Sequence, residues 1–196
     1  MTVSNDSEEF VILVDEADRF TGTGPKLETH LEGLLHRAFS IFIFDDTGRT
    51  LIQRRAMTKY HSGGLWANTC CGHPRPGESI AAAASRRLME ELGFKADLFF
   101  GFHSRYRADL DHDMVENEFV HVLFGVSDAA CYPEPTEVSE VDYWHLEDLR
   151  DAALCNGSAQ TVWLRHYLDT HFDEILELRQ KSSLATISNL STSTYV

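Results

Sequence analysis

One segment near the middle of the chain constrains the fold and the chemistry more than any other. A glycine is followed by five residues, Glu78, an alanine-rich run with two arginines, and then Glu90, Glu91 and Gly93. The alanines predict a helix over 78–92, and the last glycine is well placed to cap its C-terminal end. Residues four apart lie on one face of a helix, so each arginine can pair with a glutamate. Carboxylates on one ridge beside a glycine-rich loop suit Mg²⁺, which keeps waters and bridges to phosphates. The alternative is a surface helix whose charge pairs serve solubility.

This segment resembles the Nudix box, a loop–helix–loop element, and fills every fixed position of that box except one. The exception is Arg87, which stands where the box has a glutamate. In Nudix hydrolases that glutamate helps to hold the metal that activates the attacking water. A guanidinium cannot ligate a metal, but it binds diphosphate oxygens through parallel hydrogen bonds. The departure therefore favours a site that holds a diphosphate intact over one that cleaves it.

Three further segments carry specific motifs, namely Trp66–Pro74 (W-x-N-x-x-C-G-H-P), Tyr106-Arg107-Ala108 with Val115–Glu118, and the pair His30 and His36. These segments resemble the isopentenyl-diphosphate isomerase branch of the Nudix superfamily. Together with the box, they extend the resemblance over roughly residues 10–170. The family interconverts isopentenyl and dimethylallyl diphosphate in isoprenoid biosynthesis, through a tertiary carbocation. Such a reaction needs two acid/base groups that flank the substrate and a site that excludes water.

The resemblance also implies two metal positions. Two of the expected ligands, Glu116 and Glu118, alternate on a predicted strand, so their side chains project to the same side of the sheet. Nitrogen and oxygen donors around one cation suit Mn²⁺, Zn²⁺ or Mg²⁺. Each histidine taken alone is more often a surface or hydrogen-bonded residue than a ligand. A second cation, Mg²⁺, is expected to bridge the diphosphate to Glu91 and to the backbone carbonyl of Cys71. The ligands implied at the first position are His30, His36, His73, Glu116 and Glu118.

The family pattern assigns the acid/base roles to Cys71 and Glu118, with Tyr106 assisting proton delivery beside Glu118. The alternative for Cys71 is a buried structural thiol, which is the usual role of a free cysteine. The adjacent Cys70 is the candidate for that structural role. Trp163 matches the family's aromatic residue and is expected either to stabilise the carbocation with its π face or to pack in the core.

Substrate anchoring is expected from a basic segment. From Arg49 to Arg87 the chain has seven basic residues against one acidic residue. Such a segment can hold a phosphate in an acidic protein, although a random surface cluster gives the same count. The residues that match the family's diphosphate-binding positions are Lys26, Arg55, Lys59 and Arg87.

The alternation of apolar strands and amphipathic helices predicts an α/β fold, a Nudix-like αβα sandwich around a mixed β-sheet. One domain is expected over 10–180, with a flexible N-terminus over 1–9 and a disordered tail over 181–196. The predicted strands are 10–14, 37–44, 50–54, 99–106, 115–126 and 141–144, and the predicted helices are 78–92, 146–154 and 160–180.

Composition limits the classes of partner that the chain is expected to bind. A net charge of −14 argues against nucleic acid and anionic membranes as partners but does not exclude a small anion. The partner that the family resemblance implies is a small allylic or homoallylic diphosphate. Four irregularly spaced cysteines form neither a disulfide framework nor a CxxC zinc site, and the N-terminus lacks the pattern of a signal peptide. We therefore expect a cytoplasmic monomer.

Two other functions fit parts of the sequence. One is a Nudix diphosphohydrolase, which Glu90 and Glu91 favour and Arg87 disfavours. The other is a non-catalytic Nudix module that senses a diphosphate. The pair Cys71 and Glu118 argues against it, because a sensor needs no acid/base pair.

Overall fold

The computed structural model describes residues 9–180, and one mixed β-sheet runs through this part of the chain. The predicted N-terminus 1–9 and tail 181–196 lie outside the described residues, apart from Glu9. The nine strands found there are β1 (Phe10–Val14), β2 (Phe20–Pro25), β3 (His36–Phe44), β4 (Thr50–Arg55), β5 (Trp66–Asn68), β6 (Cys70–Gly72), β7 (Phe99–Asp109), β8 (Val115–Val126) and β9 (Val138–Trp144). The helices are α1 (Lys26–Glu32), α2 (Ile80–Leu92), α3 (Leu146–Asn156), α4 (Val162–Thr170) and α5 over 172–180.

Strand β3 lies at the centre of the sheet and pairs along both of its edges. It runs parallel to β8 over its whole length, from His36 opposite Glu118 to Phe44 opposite Val126. Its other edge pairs antiparallel with β1, β6 and β4 in turn. Strand β6, which carries Cys71, and strand β8, which carries Glu116 and Glu118, therefore flank β3 on opposite sides.

Helices cover both faces of this central strand. The side chains of Phe39, Ile41 and Ile43 belong to a core cluster that also contains Leu88 and Leu92 of α2. The alternate side chains of β3 pack with residues of α3, α4 and α5. A strand buried on both faces reads as a continuous apolar run, as β3 does. The predicted α/β fold, an αβα sandwich around a mixed sheet, is confirmed.

Helix α2 begins two residues later than the sequence predicts. Ser79 is its N-cap, and the hydroxyl of Ser79 accepts a hydrogen bond from the amide of Ala82 at 3.2 Å. Glu78 lies before the cap and instead receives two hydrogen bonds from the guanidinium of Arg86. Gly93 closes the helix with a φ of 74°, a left-handed conformation that favours glycine.

The predicted single helix over 160–180 is wrong, because two helices occupy this range. Helix α4 ends at Thr170, and His171 leaves the helical conformation with φ −122° and ψ 17°. The Nε2 atom of His171 lies 2.9 Å from the hydroxyl of Ser104 on β7, and its Nδ1 atom lies 2.9 Å from Glu174. The contact with Ser104 fixes the junction between α4 and α5 against strand β7.

Four elements were not predicted, namely β2, α1, β5 and β6. Strand β2 contains two glycines and a proline, and β5 and β6 have only three residues each, so none carries a strand pattern. The predicted strands over 99–106 and 141–144 are longer, since β7 continues to Asp109 and β9 begins at Val138. No helix in the described range has the length and apolar character needed to cross a membrane.

Candidate active site

A single cavity gathers most of the predicted site residues. Eleven of the thirteen line it, and the remaining two, His30 and His36, are fully buried beside it. His30 reaches Glu116, and His36 reaches His73. The eleven are Lys26, Arg55, Lys59, Cys71, His73, Arg87, Glu91, Tyr106, Glu116, Glu118 and Trp163.

Three imidazoles and one carboxylate converge at one end of this cavity. One donor atom from each of His30, His36, His73 and Glu116 lies within 4.8 Å of all the others. The Nε2 atoms of His36 and His73 are 3.2 Å apart, and the Nε2 atom of His30 is 3.5 Å from Glu116 Oε2. We call these four residues, with Glu118, the histidine cluster.

The surroundings of the histidine cluster fix which ring nitrogens face its centre. The Nδ1 atom of His30 lies 2.7 Å from the carbonyl of Lys26, and that of His36 lies 2.8 Å from the carbonyl of Leu34. A carbonyl only accepts, so each Nδ1 is a protonated donor and each Nε2 faces the cluster, where the neutral ring offers a lone pair. Metal-binding histidines are held in this way by backbone carbonyls.

Two buried atoms of the histidine cluster have no hydrogen-bond partner among the described residues. They are Nε2 of His30 and Oε2 of Glu116, and they face each other. A buried polar atom without a partner is costly, and a bound ion can satisfy such an atom in a native protein. Burial lowers the pKa values of His36 and His73 to about 3, which favours the neutral form that ligates metals. The donor set therefore fits a divalent cation.

Glu118 links the histidine cluster to a tyrosine. Its Oε1 atom is 2.8 Å from Nε2 of His73, and its Oε2 atom accepts a hydrogen bond of 2.7 Å from the hydroxyl of Tyr106. Burial raises the pKa of Glu118, although the bond from Tyr106 opposes that shift. Burial also raises the pKa of Tyr106 well above its usual value, so this hydroxyl stays protonated.

The two adjacent cysteines occupy different environments. Cys71 lines the cavity, where its sulfur lies 3.2 Å from the hydroxyl of Ser40 and 3.2 Å from Oδ1 of Asn68. Burial raises the pKa of Cys71 to about 12, so the free thiol is the stable form. Cys70 is fully buried in the core cluster that packs against α2. It therefore has the structural position that the sequence predicts for it.

At the other end of the cavity, Arg87 lies among carboxylates. Its Nη2 atom is 2.6 Å from Glu91 and 3.0 Å from Glu137, and its Nη1 atom is 2.9 Å from Glu90. The same oxygen of Glu137 also receives the ammonium of Lys59 at 3.0 Å. Arg87 is therefore a partly buried, fully paired cation and not a solvated helix charge.

Trp163 lies between the cavity and the core. Its side chain belongs to the same apolar cluster as Leu164 and Tyr167, and it also lines the cavity. The guanidinium carbon of Arg55 lies 5.2 Å from the centre of its ring. Trp163 therefore packs in the core and also lines the cavity, and stabilisation of a carbocation by its π face stays a prediction.

Sequence reasoning missed several residues that line the cavity, among them Ser40, His61, Glu137 and Tyr167. Ser40 carried a usable signal, because it is the one polar residue in the apolar run Ala38–Phe44. The others carry no local pattern that separates them from ordinary surface or core residues.

Comparisons with known proteins identify the family to which the chain belongs. The NUDIX domain family matches residues 34–166, so the chain belongs to the Nudix family. Among solved structures, the DR0079 protein of Deinococcus radiodurans has a TM-score of 0.69 at 21% identity, covering 82% of this chain and 97% of its own. A MutT protein from Methanosarcina mazei has a TM-score of 0.59 at 18% identity, covering 71% and 93%. These two similarities show the fold alone.

The curated relatives are more specific. An isopentenyl-diphosphate Delta-isomerase from Burkholderia multivorans is 49% identical over 156 residues, which cover 80% of this chain and 89% of that protein. One from Streptomyces griseus is 42% identical over 185 residues, which cover 92% and 93%. Within the Nudix family, the chain therefore belongs to the isopentenyl-diphosphate Delta-isomerases, and the predicted membership in that branch is confirmed.

Proposed function

We propose that this enzyme interconverts isopentenyl diphosphate and dimethylallyl diphosphate by adding a proton to the alkene and removing another from the carbocation that results. The observation that carries the proposal is the pair Cys71 and Glu118. They line one cavity and come from strands on opposite sides of β3. An allylic proton shift needs acid/base groups in this kind of arrangement.

Both members of the pair are placed to transfer protons, and Cys71 carries its proton in the free enzyme. Burial raises the pKa of each group, and each is surrounded by hydrogen-bonding side chains. Ser40 and Asn68 hold the sulfur of Cys71, and Tyr106 holds one oxygen of Glu118. One group gives its proton to the terminal alkene carbon, and the other accepts a proton from the carbon on the far side of the cation. Protons and electrons balance, so no redox partner is required.

The intermediate needs protection from water and stabilisation of its charge. Trp163 has only 4% of its surface exposed, and Tyr106 and Tyr167 are also buried around the same cavity. Aromatic faces attract cations, and the Trp163 face already does so with Arg55. These side chains exclude water and accommodate a positive charge at the same place.

The histidine cluster would hold a divalent cation through three imidazole nitrogens and the carboxylates of Glu116 and Glu118. Mn²⁺, Zn²⁺ and Mg²⁺ all accept this donor set, and the nitrogens favour the transition metals. When bound, the cation supplies positive charge that tunes the acidity of Glu118. A second cation, Mg²⁺, is proposed to join the diphosphate to Glu91 and to the carbonyl of Cys71.

The basic side chains proposed to bind the diphosphate, namely Lys26, Arg55, Lys59 and Arg87, all line the cavity. A planar guanidinium matches two phosphate oxygens at once, and a lysine adds a point charge. This arrangement supports retention of the diphosphate during the proton shift. A diphosphohydrolase is less well supported, because Arg87 stands where the Nudix box has a glutamate and a guanidinium cannot ligate a metal.

One incubation separates the alternatives. With isopentenyl diphosphate, Mg²⁺ and Mn²⁺, the isomerase produces dimethylallyl diphosphate, a hydrolase releases phosphate, and a sensing module does neither. Cys71→Ala should lower turnover by about 10²–10⁴-fold, the usual contribution of a positioned acid or base. Cys70→Ala and Cys155→Ala are the matched controls, buried in the core and exposed respectively, and both should keep their turnover. Equal turnover in Cys71→Ala and Cys70→Ala would refute the assignment.

A further inference from the structure

His61 lies in the loop between β4 and β5, and its side chain points into the active-site cavity. Only 4% of its surface is exposed, and it is one of the residues that line the cavity. The loop turns sharply just after it, with positive φ at Ser62 and Gly64. The amide of Ser62 also donates a hydrogen bond of 3.2 Å to Asp111. This histidine is therefore held inward by the path of the backbone.

The ring of His61 meets the histidine cluster from outside. Its Nε2 atom is 3.6 Å from Oε1 of Glu116, the oxygen that does not face His30. Its ring is stacked against that of His30 with 5.9 Å between centroids and 29° between planes. Glu116 thus has one oxygen toward the proposed cation and the other toward His61.

The contacts of the two ring nitrogens of His61 define one tautomer. The Nδ1 atom lies 3.2 Å from the hydroxyl of Ser62, which can donate to it. The carboxylate of Glu116 only accepts, so the ring proton is on Nε2, directed at Glu116, and Nδ1 accepts from the hydroxyl. An N–H group aimed at the free oxygen of a metal-binding carboxylate orients that carboxylate and its lone pairs.

His61 also contacts the two residues proposed to meet the substrate. Its ring lies edge-on to Trp163, with 6.0 Å between centroids and 86° between planes. Its backbone carbonyl accepts a hydrogen bond of 3.2 Å from Nη2 of Arg55, whose guanidinium lies over the Trp163 ring. His61 therefore contacts Glu116, Trp163 and Arg55, three residues that line the cavity.

We infer that His61 is a positioning residue that sets the orientation of Glu116 in the histidine cluster and supports Trp163 from its edge. The catalytic part of this inference rests on the proposed function. The effect of His61 on metal binding by the histidine cluster can be measured without turnover. The competing hypothesis is that His61 only fills space beneath Trp163. The two hypotheses differ in whether the ring N–H matters.

Two substitutions separate the N–H group from the ring. His61→Phe keeps an aromatic ring but has no donor, whereas His61→Gln keeps a donor but has no ring. Loss of an outer partner of a metal ligand typically weakens metal affinity by about 10–100-fold. We therefore expect His61→Phe to bind Mn²⁺ that much more weakly than the wild type, and His61→Gln to recover most of the affinity. His145→Phe, which replaces an exposed histidine ahead of α3, is the matched control and should bind Mn²⁺ normally.

The measurement is a titration of the metal-free, full-length enzyme with Mn²⁺, monitored by the paramagnetic resonance of the free ion, followed by steady-state kinetics. Wild-type affinity in His61→Phe, or equally weak binding in both His61 variants, would overturn the inference. If His61→Phe does not fold, Ser62→Ala replaces it, and a weaker loss of the same sign is expected while unchanged affinity overturns the inference. Absence of isomerisation by the wild type would refute the proposed function and leave the Mn²⁺ comparison intact.

Discussion

Replacing Arg87 with alanine is expected to destabilise the fold as well as impair binding. The guanidinium has 16% of its side-chain surface exposed and contacts Glu91 at 2.6 Å and Glu137 at 3.0 Å. The side chain of Glu91 is only 6% exposed, so its charge would remain in a poorly solvated position. Breaking a buried ion pair by removing one partner costs about 3–5 kcal/mol. Because Arg87 and Glu137 retain some solvent contact, we expect a loss near the lower end, about 3 kcal/mol.

Urea denaturation measures this loss directly. With a denaturant slope of about 2 kcal/mol per molar, the midpoint should fall by roughly 1.5 M. Arg75→Ala is the matched control, because Arg75 is 47% exposed and lies 3.6 Å from Glu9. It should cost less than about 1 kcal/mol. Adding Glu91→Gln to Arg87→Ala should restore part of the stability, since the orphaned charge is then absent. A midpoint shift in Arg87→Ala no larger than in Arg75→Ala would refute the reasoning.

The same variant tests the functional role of the guanidinium. A charge-assisted hydrogen bond contributes about 1.5–3 kcal/mol, which corresponds to roughly a 10- to 150-fold loss of affinity for the diphosphate. Arg87→Glu restores the full Nudix box and should abolish isomerisation by repelling the diphosphate. If Arg87→Ala leaves both kcat and KM unchanged, Arg87 contributes only to structure, and the main argument against hydrolysis is lost.

Two further predictions concern stability. Gly101→Ala should cost about 1–3 kcal/mol in denaturation experiments, because the new methyl group would overlap the ring of Phe124. In Gly22→Ala the methyl group would meet only Cδ1 of Leu13, at an ordinary contact distance of 4.0 Å, so this variant should be nearly neutral. Burial, and then the adjacent His171, lower the pKa of His166 below its ordinary value of 6.5, so the unfolded chain binds this proton more readily. Stability from this group is therefore complete above pH 6.5 and is lost as the pH falls below it. With the protein saturated with Mn²⁺, the free energy of unfolding should fall less between about pH 7.5 and 5.5 in His166→Gln than in the wild type, and equal slopes would contradict this.

The elements that sequence predicted well are those whose pattern is local. Strand β8 has the predicted bounds, and β3 and α2 differ from prediction by one or two residues at their starts. Apolar continuity identifies a strand covered on both faces, and a glycine cap identifies the end of a helix. The break at His171 has a different origin, because the side chain of Ser104 on a distant strand holds it. No pattern within 160–180 contains that information.

The residues of the site also differ in whether a local sequence pattern identifies them. Residues of the Nudix box and of the W-x-N-x-x-C-G-H-P motif could be assigned because their spacing is specific. Glu137 and His61 could not, because each reaches the cavity through the path of a loop or the start of a strand. Glu137 pairs with Arg87, fifty positions away in the sequence, and His61 meets Glu116 from a different strand connection. Such pairs are defined by three-dimensional packing and have no counterpart in local spacing.

Charge balance in the cavity explains how an acidic protein accommodates an anion. Five lysine and arginine side chains line it, together with five glutamates, so the protein alone presents no excess of positive charge there. Arg87 is paired with Glu90, Glu91 and Glu137, and Lys59 shares Glu137 with it, so both cations are already engaged by carboxylates. Divalent cations held by Glu91, Glu116 and Glu118 would reverse this balance, because they would offset the negative charge of these three glutamates. Diphosphate binding should therefore depend on the metal far more steeply than the number of basic residues in the cavity suggests.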